Sequence, residues 1–372
     1  MATKIAMDFA MRNEIEEYSN ALLVPKPKHE RNSPVQASGV FDENGKFVEA
    51  AVTYRPNGPF NSEPAIPPAE EIVDLKGTYM FGGVLFGHFG HFLMDSSARI
   101  WAMSQLRDKI DGVVFIPKVN GDGVENMLRV QLPIMKALGM DCDIKVLRDP
   151  TRVEKLYVPW QGIGIGEGWE VATKEFRDYM REYGGKKIEP KGAERIYVSR
   201  SALPKARASF LSEKILEEHL VKAGYEVVHP QKLSKQDQIA QYRAAKCIVS
   251  PDGSPMHMLA YVGTPGQRVG VIARRSAAMN NIFESQLKAF YGADAHTINC
   301  LTDDWLPNGA GRPGRSSWGE LDMVALYEGL MATGFLPEGT EPWPPVTDAE
   351  IAEELAAIGE REGVVYRKYV PA

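Results

Sequence analysis

ERIYVSRSALPKARASFLSEKILEEHLVKAGYEVVHPQKLSKQDQIAQYRAAKCIVSPDGSPMHMLAYVGTP, residues 194–265, alternates short apolar runs with helical periods. IYVSR (196–200) reads as a strand ending in Ser199-Arg200, and the basic residues Lys205 and Arg207 follow within one loop. A helix, a second strand and a second helix come next. CIVS (247–250) is a buried-type strand, and PDGSPMHMLAYV (251–262) turns sharply into another helix. The pattern is a βαβαβ unit, and such units bind phosphorylated ligands at the carboxyl ends of their strands. Arg200 has the fork geometry to grip a phosphate and Ser199 has a hydroxyl to donate. Gly253 permits close backbone approach, and the N–H groups at Gly253 and Ser254 open a helix whose start favours an anion.

Outward from this stretch the rhythm continues. TYMFGGVLF (78–86), GVVFIP (112–117), IKVL (144–147) and KLYVP (155–159) read as strands. Residues 88–108, 124–140 and 171–185 read as helices. Strand–helix alternation implies parallel sheets, so the fold class is α/β, with two Rossmann-like domains facing across a cleft. The boundaries expected are an N-terminal arm and β-hairpin over 1–69, a first Rossmann-like domain over 70–185 and a second over 186–300. A C-terminal loop and helices over 301–372 pack back on the body. The hairpin rests on Asn44-Gly45 between the apolar runs of 39–58.

Composition bounds the function. Lys plus Arg number 43 and Asp plus Glu 49, a formal charge of −6, which argues against a general nucleic-acid or anionic-membrane binder. Cys142, Cys247 and Cys300 are far apart and lack metal-type spacing, so reduced thiols in a cytoplasm are expected. No signal-length apolar core opens the sequence and no run is long enough to span a membrane. Homo-oligomerisation is compatible with the sequence.

His88, His91 and Asp95 stand at i, i+3 and i+7, which places them on one face of the helix expected over 88–108. Three readings are open: a general base that takes a proton from a hydroxyl, a two-histidine, one-carboxylate metal site, or groups that cap the helix and satisfy buried polar atoms. Arg99, one turn on, is expected to pair with Asp95. Asp141-Cys142-Asp143 fits an Asp-x-Asp metal pattern but lies at a helix–strand junction, where solvated acids are common. GIGIGEG (162–168) reads as a loop, and Trp160, Trp169, Trp305 and Trp318 lie in or beside loops where an aromatic face could meet a sugar.

These motifs in this order resemble glycosyltransferase family 61. The resemblance is carried by Tyr197-Val198-Ser199-Arg200, Arg207, Ser212-Glu213, Gly224-Tyr225-Glu226-Val227, Leu233-Ser234 with Gln238, and Ser250-Pro251-Asp252-Gly253-Ser254. GHFGHFLMDSSARIW (87–101) is similar to the family's upstream signature, and the whole covers roughly residues 75–275. Asp252 stands where the family has His, Ser212 where it has Asn, and His88 where it has Asn. The resemblance implies a GT-B-type inverting glycosyltransferase (hexosyl- or pentosyltransferase), serving bacterial capsule or other surface polysaccharide synthesis in the cytoplasm. Its partners would be a nucleotide-sugar, expected to be UDP-linked, and a glycan acceptor. No cofactor is required on this reading, and a divalent metal is not expected. His91, Asp95 and His88 would supply catalysis. Ser199, Arg200, Arg207, Asp252, Gly253 and Ser254 would bind the donor. Two alternatives stay open: a metal-dependent oxygenase or hydrolase at His88, His91 and Asp95, and a non-catalytic relative that binds a nucleotide-sugar or glycan, suggested by Asp252.

Overall fold

The apolar runs of the second half become five short strands, the inner three almost fully buried. In the computed structural model these are β7 (Arg195–Val198), β8 (Glu226–Val228), β9 (Cys247–Pro251), β10 (Arg268–Ile272) and β11 (Asp294–Ile298). The structure describes residues 11–28, 33, 35–55, 57–164, 168–203, 207–276 and 282–371. It divides into two units, Met1–Lys187 and Ile188–Ala372.

In the second unit the five strands are all parallel, in the order β8-β7-β9-β10-β11. The chain starts in mid-sheet, adds β8 on one side, then crosses back to add β9 on the other. Such a reversal opens a crevice between the carboxyl ends of β7 and β9. The connecting helices are those expected. Helix α3 (Glu213–Lys222) buries Leu216 and Leu220, one turn apart, against the sheet. Each such side chain contributes about 1.5–3 kcal/mol of burial. Helix α4 (Lys235–Ala244) is capped by Ser234, whose hydroxyl accepts from the Asp237 N–H. Helices α5 (Ser254–Val262) and α6 (Ile282–Tyr291) follow β9 and β10.

The C-terminal segment packs inside this unit. Strands β12 (Leu301–Pro307), β13 (Trp318–Leu321) and β14 (Tyr366–Lys368) form a small antiparallel sheet. Helix α7 (Met323–Ala332) places Leu326 and Leu330 in the same core as Tyr197, Phe210 and Leu216. Helix α8 (Asp348–Glu362), opened by a Thr347/Glu350 capping box, packs Ile351 and Ile358 on Ala208, Leu211 and Trp318.

The first unit holds a mixed six-stranded sheet. Its strands are β1 (Ile15–Val24), β2 (Gly39–Phe41), β3 (Val73–Leu85), β4 (Gly112–Pro117), β5 (Asp143–Val146) and β6 (Thr151–Pro159), in the order β2-β1-β6-β3-β4-β5. Strands β6, β3, β4 and β5 are parallel; β1 and β2 join antiparallel. Here too the order reverses, between β3 and β6. Helices α1 (Val124–Ala137), with Pro133 inside it, and α2 (Lys174–Tyr183) lie in this unit. Residues 15–24, read from sequence within an arm, form β1 instead. Its outer half is polar and only the last four residues are buried, which hid the strand from a simple alternation test. The hairpin expected over 39–58 resolves into two smaller turns. One is a tight turn at Asp42, whose side chain accepts from the Asn44 and Lys46 N–H groups, and the other pairs Tyr54 with Pro59. No helix among the described residues is long and apolar enough to cross a membrane.

One glycine joins the small sheet to the large one. A Cβ added to Gly319 would lie 2.2 Å from the Arg274 carbonyl oxygen and 2.7 Å from Leu301. Backbone cannot give way as a flexible side chain can, so Gly319→Ala is expected to lower stability by about 1–3 kcal/mol. A urea titration checks this, with a lower midpoint expected at an unchanged slope.

Candidate functional site

In the second unit the carboxyl ends of β7, β9 and β10 lead into Arg200, Asp252 and Arg274. Arg274 and Asp252 are both buried, at 5% exposure each. The Arg274 Nε lies 2.8 Å from Asp252 Oδ1 and donates to the Asp252 carbonyl at 2.9 Å, while the Arg274 N–H donates to Asp252 Oδ2 at 3.2 Å. Arg274 Nη1 and Arg200 Nη2 each donate to the Ala208 carbonyl at 3.1 Å. Burial, then the neighbouring Arg274, lowers the Arg200 pKa to about 10, which leaves it a cation at neutral pH. Arg275, half-buried, is depressed for the same two reasons, burial first and Arg274 second. The carboxylates of Asp252 and Asp304 act on it in the opposite direction. Three guanidinium groups, Arg200, Arg274 and Arg275, therefore stand among three buried acids: Asp252, Glu213 and Asp304, whose carboxylate accepts from the Ser276 N–H.

The sequence-read residues divide here. Arg200, Asp252, Gly253 and Ser254 come together. A Cβ on Gly253 would approach Arg200 Nη1 to 3.1 Å, so the bare backbone lets the guanidinium pass the start of α5. Ser199 is 1% exposed, and its hydroxyl is engaged by Glu217 and Ser201 rather than turned to the arginines. Arg207 is exposed on the strip 207–211, which bonds along 315–319 through Ala208 to Arg315 and Leu211 to Gly319. Lys205 lies outside the described residues. Arg274 and Arg275 were not singled out from the sequence. The signal was available, since both follow the apolar strand VGVIA as Arg200 follows IYVS.

In the first unit, β3 runs out into residues 86–96. The helix expected over 88–108 is broken. Phe89–His91 makes one α-turn, Phe92–Ser96 is a π-turn closed by the Ser97 N–H to the Phe92 carbonyl at 3.1 Å, and a 3₁₀ turn follows at Ile100–Ala102. The serines explain the break. Ser96 Oγ donates to the Val84 carbonyl and accepts from the Phe86 N–H, and Ser97 Oγ donates to the Leu93 carbonyl. These bonds compete with the helical ladder, and π-turns are frequent at functional sites.

The π-turn seats Asp95 with no exposure and His91 with about a third of its side chain accessible. His91 Nδ1 lies 2.8 Å from Asp95 Oδ2, and Arg55 Nη2 donates to that same oxygen at 2.8 Å. A carboxylate partner makes Nδ1 the protonated nitrogen, which directs the Nε2 lone pair outward as a proton acceptor. The His91 ring stacks on Phe86 at 5.4 Å, and His88, exposed at the turn's start, meets it edge-on at 5.4 Å. The three sequence-read residues do not form a ligand set: no group of three His, Cys, Asp or Glu among the described residues could hold a metal ion, and the Arg55 cation sits on the Asp95 oxygen that His91 uses.

Arg55 was missed from the sequence because it lies in the hairpin region, over 30 residues from His91. Gln161 positions it, accepting from the Tyr54 N–H at 2.9 Å and donating to the Tyr54 carbonyl at 3.0 Å. Arg99 does not pair with Asp95. It is fully buried and donates to the carbonyls of Pro159, Ala50 and Val52. Trp160, Trp169 and Trp318 are buried core residues, and the indole of half-buried Trp305 donates to Glu320. Asp141 and Asp143 are solvated partners of Lys187 and Lys145.

Residues 89–269 match the family model of Glycosyltransferase 61. A search of curated proteins finds no match.

Glu213 supplies a test by pH. Its Oε1 accepts from the Arg200 N–H at 2.7 Å and the Tyr197 hydroxyl at 3.0 Å, yet burial raises its pKa above the ordinary 4.5. The native state thus holds the proton more tightly than the unfolded chain. The stability this contributes is fully present below the unfolded value and is lost as pH rises through the folded one. Glu213→Gln keeps an acceptor oxygen without the charge. The wild type should lose melting temperature relative to this variant as pH rises from about 4 to about 8, whereas a constant difference would mean no raised pKa.

Proposed function

We propose that this chain, whose residues 89–269 carry the glycosyltransferase family 61 match, moves a sugar from a nucleotide-sugar to a hydroxyl of a glycan, with inversion at the anomeric carbon. The observation that carries the reading is the cluster of three guanidinium groups, Arg200, Arg274 and Arg275, at the strand ends beside the β7/β9 reversal. A diphosphate would meet fork-shaped donors there, at the strand ends where such sheets bind ligands. Asp252 does not oppose it, because its carboxylate is spent on Arg274.

In the reaction, His91 Nε2 takes the proton of the acceptor hydroxyl. The oxygen forms its bond to the anomeric carbon as the bond to the nucleotide phosphate breaks. The diphosphate leaves with the electron pair, and Arg200 and Arg274 stabilise its growing charge, a term that is usually the largest in such chemistry. Asp95 is the positioning residue: it is fully buried, so it acts through His91. The oxygenase or hydrolase reading is disfavoured by Arg55 on Asp95, since a cation there repels a metal. A GT-B-type two-domain architecture, a UDP-linked donor, a role in capsule or surface polysaccharide synthesis and a bacterial cytoplasmic setting belong to the same proposal.

Arg200→Ala should weaken binding of the nucleoside diphosphate by about 1.5–3 kcal/mol, the range for a charge-assisted bond, measured by calorimetry across UDP, GDP, CDP and dTDP. Unchanged affinity for every nucleotide would remove the central claim. His91→Asn should leave that affinity in place and lower the transfer rate by about 10²–10⁴-fold. Chelation should leave transfer intact, because arginines do the work of a divalent cation.

A further inference from the structure

Lys118 begins where β4 ends. Its backbone N–H donates to the Leu85 carbonyl at 3.0 Å, which fixes it beside the end of β3 and hence beside Phe86. The ammonium lies 5.0 Å from the Phe86 ring centroid and 5.9 Å from that of Phe60. Arg55 occupies the same two rings, at 5.1 and 4.7 Å, and His91 stacks on Phe86. Among the described residues, no carboxylate or carbonyl oxygen hydrogen-bonds the Lys118 ammonium.

The local charge does not balance. Asp95 is one carboxylate, and Arg55 and His91 already share one of its oxygens. Lys118 is a second fixed cation, half-buried over aromatic rings that keep water away. Burial, then repulsion from Arg55, presses its pKa below the usual lysine value, and the attraction of Asp95 is the smallest cause. Such a site gains most from an incoming negative charge, because attraction strengthens as water is excluded.

We propose that Lys118, with Arg55 beside it, binds an anionic group on the molecule whose hydroxyl His91 deprotonates, so that the acceptor is an acidic saccharide bearing a carboxylate or a phosphate. Calling that molecule the acceptor rests on the transferase reading. The anion site itself rests on Lys118, Arg55, Phe60 and Phe86.

The test uses the full chain with its lysines labelled by ¹³C reductive methylation, which keeps their charge. The Lys118 signal is identified by its loss in Lys118→Arg. Glucuronate, glucose 6-phosphate, glucose and UDP are titrated in turn. Both acidic sugars should move the signal saturably at roughly ten-fold or lower concentration than glucose, as a charge-assisted bond implies. Added salt should weaken the effect. Lys118→Gln should abolish the preference for acidic over neutral sugar, and Lys118→Arg, followed by calorimetry, should retain it. Equal response to glucose, no response to either acidic sugar, or a response to UDP alone overturns the proposal. Failure of nucleotide binding would count against the transferase reading and leave the Lys118 signal still readable.

Discussion

Two guanidinium groups share one carbonyl oxygen, that of Ala208, and the second unit is arranged to make this tolerable. Like charges this close repel strongly where water is scarce. Asp252 offsets one of them, and Glu213 fixes the backbone of the other. Breaking a buried pair by removing one partner is costly, because the remaining charge is left without compensation. Everything around the pair is therefore held. The strip that carries Ala208 is bonded along 315–319, Gly319 allows the Arg274 carbonyl to come near, and α8 reaches back through Glu354 to the Ser212 N–H. The C-terminal segment is part of what holds the two arginines in place.

The parallel strands and their helices were legible because their apolar runs are short, continuous and bounded by Gly, Pro and Ser. The stretch 194–265 has its elements where the pattern puts them. Strand order was not legible, since nothing in a run of Val and Ile states which neighbour it pairs with. The reversal that makes the crevice emerges only from the register of Ile196 with Glu226 on one side and Ile248 on the other.

The site was read in part, and the errors share a cause. Sequence spacing reports neighbours along the chain, whereas the decisive partners here are distant. Asp252, which suggested a non-catalytic relative, is held by Arg274, 22 residues on. Asp95 was assigned Arg99, one helical turn away, but the helix is not regular there. The guanidinium that reaches it belongs to Arg55, 40 residues earlier. The tryptophans were read as sugar contacts from their place in or beside loops, and packing claimed three of them.

Arg99 carries a consequence for how the molecule can be divided. Its guanidinium ties the carbonyls of Ala50 and Val52 to that of Pro159, deep in the first unit. The family match begins at residue 89, beyond β1, β2, β3, Arg55 and two of those three carbonyls. A polypeptide trimmed to 89–269 would keep nearly all of the recognisable motifs, losing Gly87 and His88 from the upstream one. It would also keep a buried cation stripped of most of its acceptors and a sheet without its central strand. In this protein the recognisable part and the part that folds are different lengths of chain, and dissection has to follow the second.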